Sequence, residues 1–193
     1  MTKKVAADIS KFFYEMGTLR KVSRAHRQLL LTDDPSDNIA SHTFRVCIIG
    51  MILAQLENVD IPKVVLMCLL HDITESRSGD QNWVNKKYVK VFEDEIIKSQ
   101  IGSLPNSKEL LIIIQEYNDR KTKEAQIAKD ADRLDQTLLE REYVWTGNQE
   151  AKTWGQTNRT SLFSKSAKSL LIEIIKQRPS DWWTKGGWTS QRR

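Results

Sequence analysis

Three histidines occur in the 193 residues, and the spacing of their neighbours turns two of them inward. His42 opens the stripe His42, Val46, Ile49, Leu53 and Leu56, a three-four alternation that keeps one face of a helix starting near Ser41 apolar. His71 and Asp72 close the apolar run 64–70. A carboxylate at the end of a buried helix bears a heavy desolvation cost unless a cation lies beside it. Imidazole nitrogens together with carboxylate oxygens suit a first-row divalent transition ion, whereas magnesium favours oxygen alone. A fourth ligand can come from "KDADRL", residues 129–134. Periodicity leaves two aspartates open there. Asp130 lies nearer the main stripe Ile127, Ala131, Leu134 and Leu138, and Asp132 lies beside an edge formed by Ala128 and Leu139.

Helices must carry these residues, since the chain has only four prolines and eight glycines and its apolar residues recur at helical spacing. The pattern predicts an all-α helical bundle. A first helix is expected over residues 6–19, with Ile9, Phe12, Phe13 and Met16 inward, before a loop holding Asp33, Asp34, Pro35 and Asn38. Asp60 reads as an N-cap with Pro62 in the first turn, and Gly79 as a stop after the polar cluster 71–75. Residues 83–98 read as one amphipathic helix, Ser107 as the cap of a helix carrying 110–114, and Thr122 as the start of a long one over 125–143. A last helix, 160–177, is ended by Pro179. Residues 1–179 are thus expected to form one domain. The tail 180–193 carries Trp182, Trp183 and Trp188, expected to fold back on the domain or on a partner.

An apolar content of 39% with 28% charged residues is that of a globular chain. The longest uninterrupted apolar runs, 47–54 and 64–70, fall well short of the roughly 20 residues that cross a bilayer. No membrane association is expected. No apolar leader follows Lys3 and Lys4, and Cys47 and Cys68 lie inside the apolar runs, as thiols do in a reducing cytoplasm. The net charge of +5 favours anionic partners. Its basic residues are scattered among acidic ones, so a nucleic-acid surface is not the expectation.

The ordered set His42 in "SHTFRV", His71–Asp72 in "HDITES" and the aspartate of "KDADRL" resembles the HD-domain phosphohydrolases, over roughly residues 19–154. It is especially similar to the branch containing 5′-deoxynucleotidases, in which a glutamate and a glycine–aspartate pair follow, here Glu75, Gly79 and Asp80. The resemblance implies an HD-type helical bundle and assigns His42, His71, Asp72 and Asp132 to one divalent transition ion (Co, Mn, Fe or Zn). It implies that Glu75 orients or deprotonates water, that Asp80 meets the sugar hydroxyl or the leaving oxygen, and that Arg27, with Arg20 and Arg24 as nearby alternatives, neutralises phosphate together with Lys86. Where that branch carries an arginine–tryptophan pair, this chain is expected to present Arg27 and Gln28, so selection of the deoxyribose should weaken. The implied activity is removal of phosphate from (deoxy)nucleoside 5′-monophosphates by a homodimer. Two alternatives stand beside it: a deoxynucleoside triphosphate triphosphohydrolase drawing on Lys86, Lys87 and Arg77, and a catalytically idle regulatory or nucleic-acid-binding module using the basic tail.

Overall fold

A computed structural model describes residues 1–154 and 159–185, and among these there is no strand, only an isolated bridge between Ser23 and Asn38. The helices are α1 (Lys3–Met16), α2 (His26–Leu30), α3 (Ile39–Glu57), α4 (Ile61–Leu70), α5 (Glu75–Ser78), α6 (Trp83–Tyr88), α7 (Glu93–Ile101), α8 (Ser107–Asp119), α9 (Lys123–Trp145), α10 (Ala151–Trp154), α11 (Lys165–Lys176) and α12 (Asp181–Thr184). A 3₁₀ turn, Gly17–Lys21, follows α1.

Helices α3, α4 and α9 pack on one another and supply most of the main core, including Val46, Leu53, Val64, Met67, Ala128, Ala131 and Leu134. Gly50 lets α3 and α4 close up. A Cβ there would sit 2.6 Å from the Cys68 Sγ and 3.3 Å from the Val64 Cγ1, so any side chain would force the helices apart. By length and composition α3 could cross a membrane, which the shorter uninterrupted runs concealed, but its buried side faces α4 and α9 as in a core helix.

The caps fix where each functional residue falls. Asn38 accepts from the Ser41 N–H at 3.0 Å and starts α3, which brings His42 into its first turn. Asp60 accepts from Lys63 at 3.0 Å, and α4 stops at His71. Thr122 caps the long α9 through Ala125 at 3.3 Å.

Two expectations need correction. Residues 83–98 form two helices, because Glu93, Asp94 and Glu95 favour the positive start of α7 while Lys86 and Lys87 sit in the last turn of α6, and the β-branched Val89 and Val91 flank the break. The last long helix begins at Lys165, capped by Ser164, whose backbone N–H and hydroxyl both bind Asp130. In the tail, Trp182 is 77% and Trp183 50% exposed, and Trp188 lies outside the described residues.

Glu15 clasps α1 to α5 and α7: its carboxylate takes Arg77 at 2.6 and 2.9 Å, Gln100 at 2.7 Å and the Ser76 hydroxyl at 3.1 Å. The Arg77 hydrogen bonds outweigh partial burial and hold this carboxyl down at about 2. A depressed carboxyl stabilises the fold above its unfolded pKa and loses that contribution as the pH falls through the folded one. Glu15→Gln should therefore lower the melting temperature at pH 7, and the gap from wild type should shrink between about pH 5 and about pH 2. A gap independent of pH would show that packing, not charge, sets it.

Candidate metal centre and cavity

The last turn of α4 leaves the Cys68 carbonyl to be met, and the His71 Nδ1 lies 2.7 Å from it. Donation to a carbonyl places the proton on Nδ1 and frees Nε2. On α3 the same division holds, with the His42 Nδ1 2.6 Å from the Asp135 Oδ2. The two freed nitrogens meet 3.3 Å apart. Asp72 Oδ2 lies 3.1 Å from the His71 Nε2 and 3.5 Å from the His42 Nε2, and Asp132 Oδ1 is 3.4 Å from the latter. Three donor atoms, from α3 and the end of α4, thus converge within 4.8 Å of one another, and Asp132 of α9 adds an oxygen beside His42.

This donor set fits a divalent ion. Each imidazole turns its Nδ1 to a carboxylate or a backbone carbonyl, which is how histidine ligands are oriented toward a metal. The aspartates are already charged: burial opposes it, but His71 and His42 beside Asp72, and Lys129 with the two histidines beside Asp132, hold both carboxyls well below their usual range. For His42, burial and Arg24 disfavour a positive ring, and Asp132, Asp135 and Asp72 more than offset them. The group attracts positive charge.

Asp130 and Asp132 have separate duties. Asp130 accepts from the Phe163 and Ser164 N–H groups, each at 2.8 Å, and anchors the start of α11, while Asp132 joins the histidines. Sequence reasoning missed Asp135, one turn further along α9. It orients His42 and is held in turn by Arg45, which also reaches Glu142 at 2.6 Å. The three-residue step from Asp132 to Asp135 was the available signal, since it puts both on one face. Asp135→Asn offers an amide N–H where the imidazole needs an acceptor, so metal affinity should fall by about 10- to 100-fold. Calorimetric titration of metal into both proteins measures this; equal affinities would make Asp135 a packing residue only.

A cavity of about 480 Å³ adjoins the centre, lined by Asp72 and Asp132 together with Glu75, Asp80, Lys86 and Lys129. Burial first, then the neighbouring Asp72 and Asp80, push the Glu75 carboxyl up to about 9. Its Oε2 is shut from solvent and has no hydrogen-bond partner among the described residues. Lys129, another residue the sequence reading passed over, donates to the Asp132 Oδ2 at 2.6 Å.

The arginine of this cavity is Arg24, not Arg27. The backbone around it is pinned from both sides: Asp80 Oδ2 accepts the Ala25 N–H at 2.7 Å, and the Asn82 amide donates to the Ala25 carbonyl at 3.1 Å. Asp80 also lies 3.3 Å from the Arg24 Nε. Burial opposes the Arg24 charge, but Asp80, Asp72, Asp132 and Glu75 around it keep the guanidinium protonated. Arg27 donates to Ser23 at 2.7 Å and, with Gln28, lines a neighbouring open groove. Gln28 accepts from Asn82 at 3.3 Å, so it does not wall the cavity. The residue following the cavity arginine is Ala25, and no tryptophan stands there either.

The chain belongs to the HD domain family, whose model matches residues 16–171. It is 31% identical over 160 residues to the 5′-deoxynucleotidase HDDC2 of Dictyostelium discoideum, covering 74% of this chain and 84% of that protein. The human protein of the same name is 24% identical over 143 residues, covering 72% and 69%. Among solved structures, a conserved hypothetical protein from Pyrococcus furiosus superposes with a TM-score of 0.75 at 21% identity, over 86% of this chain and 99% of that one. One from Magnetospirillum magnetotacticum, described as a predicted metal-dependent phosphohydrolase, gives 0.67 at 24% identity, over 89% and 91%. Both share the fold.

Proposed function

We propose that this chain is a metal-dependent phosphomonoesterase that removes phosphate from (deoxy)nucleoside 5′-monophosphates. The observation that carries the reading is the His42–His71–Asp72 cluster, with Asp132 beside it, adjoining a cavity that holds both a buried carboxyl group without a partner among the described residues, Glu75, and a buried guanidinium, Arg24. When bound by His42, His71, Asp72 and Asp132, one divalent transition ion supplies Lewis acidity and charge neutralisation to the phosphate. Arg24, Lys86 and Lys129 add cationic groups against the phosphate oxygens. Glu75 takes the proton of the attacking water. Asp80, which braces Arg24 through Oδ2, offers Oδ1 to the sugar hydroxyl. The 5′-deoxynucleotidase names of the relatives support the substrate class.

The triphosphohydrolase alternative is weakened, because Arg77 is committed to Glu15 and to the Ser99 hydroxyl at 2.8 Å, and neither it nor Lys87 lines the cavity. Nucleoside mono- and triphosphates assayed with cobalt, manganese, iron and zinc test the reading. Orthophosphate from monophosphates supports it, and inorganic triphosphate as the product overturns it.

A homodimer accompanies this proposal, supported by the exposed stripe Phe44, Ile48, Ile52 and Leu56 at four-residue spacing on α3. Light scattering at twice the chain mass is the expected result, and a monomer mass would refute it. The free thiols Cys47 and Cys68 support a reducing, cytoplasmic setting.

A further inference from the structure

The cavity also carries an aromatic pair for which phosphate chemistry has no use. The rings of His26, on α2, and Trp154, on α10, both line it, with centroids 4.5 Å apart and planes inclined by 49°. His26 is braced from behind. Its Nε2 lies 2.6 Å from the Asp37 Oδ2, which also accepts the Tyr143 hydroxyl at 2.9 Å, and all three side chains are buried. Asp37 and Tyr143 line a different groove, so this chain of hydrogen bonds cannot touch a ligand in the cavity and serves to hold the imidazole plane.

Trp154 shows a second anomaly. Its indole Nε1 is shut from solvent and finds no acceptor among the described residues. Indole N–H groups are normally paired when buried, and an unmet buried donor marks a place where something outside the chain completes the bonding. A fixed ring beside a second ring with a spare donor suits a flat heterocycle bearing acceptor atoms. The remaining cavity residue of this size, Trp83, is 60% exposed and makes a looser wall.

Resting on the nucleotide reading above, we infer that the His26–Trp154 pair is the base-stacking wall of the cavity, which selects phosphate esters carrying an intact nucleobase over simple sugar phosphates. Every base presents a π-face, so such a wall separates base-bearing from base-free substrates and leaves the four bases close together. The wall contacts a part of the substrate that does not change during the reaction. Its contribution is therefore uniform binding, and its loss falls on KM rather than on kcat.

The test compares kcat and KM for a nucleoside 5′-monophosphate and for ribose 5-phosphate, using the metal-supplemented wild type, Trp154→Ala and Trp154→Phe. With Trp154→Ala, kcat/KM for the nucleotide should fall about 10- to 100-fold more than for ribose 5-phosphate, through KM. Trp154→Phe, which keeps a ring, should recover most of that difference, and its melting curve checks that the fold is intact. Equal losses on the two substrates, or a loss confined to kcat, would overturn the inference. A wild type that hydrolyses ribose 5-phosphate as efficiently as the nucleotide would do the same while leaving the phosphatase reading in place. A wild type that hydrolyses neither removes both.

Discussion

His71→Ala is expected to abolish metal binding and, with it, turnover. The imidazole is one of the four expected ligands and the middle of the donor cluster, its Nε2 standing 3.3 Å from that of His42 and 3.1 Å from the Asp72 Oδ2. With three donors left, two of them carboxylates, the nitrogen character that favours a transition ion is halved. Wild-type protein should hold about one ion per chain after desalting, and the variant none. Stability offers an independent readout, because an ion that binds only the folded chain stabilises it by about 2.7 kcal/mol when present at a hundred times its dissociation constant. For a chain of this length that corresponds to a rise of roughly 5–10 °C in melting temperature, which the variant should lack. The lost hydrogen bond to the Cys68 carbonyl costs about 1 kcal/mol by itself, so the metal-free variant should melt only a few degrees below the metal-free wild type. Equal metal content in the two proteins would remove the central claim.

The cluster His42, His71 and Asp72 was legible in the sequence and the groups that support it were not, for a physical reason. His42, His71 and Asp132 sit on long helices whose apolar stripes fix which way each side chain points, and the site lies where three such stripes meet. Arg24 has no stripe. It lies in an irregular stretch before the five-residue α2, and its place in the cavity is decided by Asp80 and Asn82, more than fifty residues away along the chain. Arg27, one helical turn on, carries the same chemistry and no local mark separates the two. The division of duty between Asp130 and Asp132 is of the same kind, since it turns on Phe163 and Ser164 taking up one of them. His26 and Trp154 come together from segments 128 positions apart, each looking like an ordinary surface-helix residue until its partner is placed. Local pattern names the residues that a helix positions; those positioned by a tertiary hydrogen bond appear only in the folded chain.

Proton transfer provides the second large effect. Glu75 opens the short helix α5, three residues after Asp72, with one carboxylate oxygen shut from solvent and without a partner among the described residues. That is an expensive arrangement for a structural residue, since an unmet buried acceptor loses its hydration and gains nothing in return. Burial and the neighbouring Asp72 and Asp80 raise its proton affinity, and a divalent ion on the adjacent ligands opposes that rise, which brings the group toward the range where a carboxylate accepts a proton from water efficiently. Glu75→Gln keeps the shape and hydrogen-bonding reach of the side chain and removes its basicity. Turnover should fall by roughly 10²-fold or more with KM and metal content little altered, as expected for a base outside the ligand set. The sign of the pH effect follows from the same role: the group works deprotonated, so the wild-type rate rises with pH through its pKa, and the variant should lose that limb. A variant with wild-type turnover, or one that loses its metal along with its activity, would return Glu75 to holding the end of α4 in place.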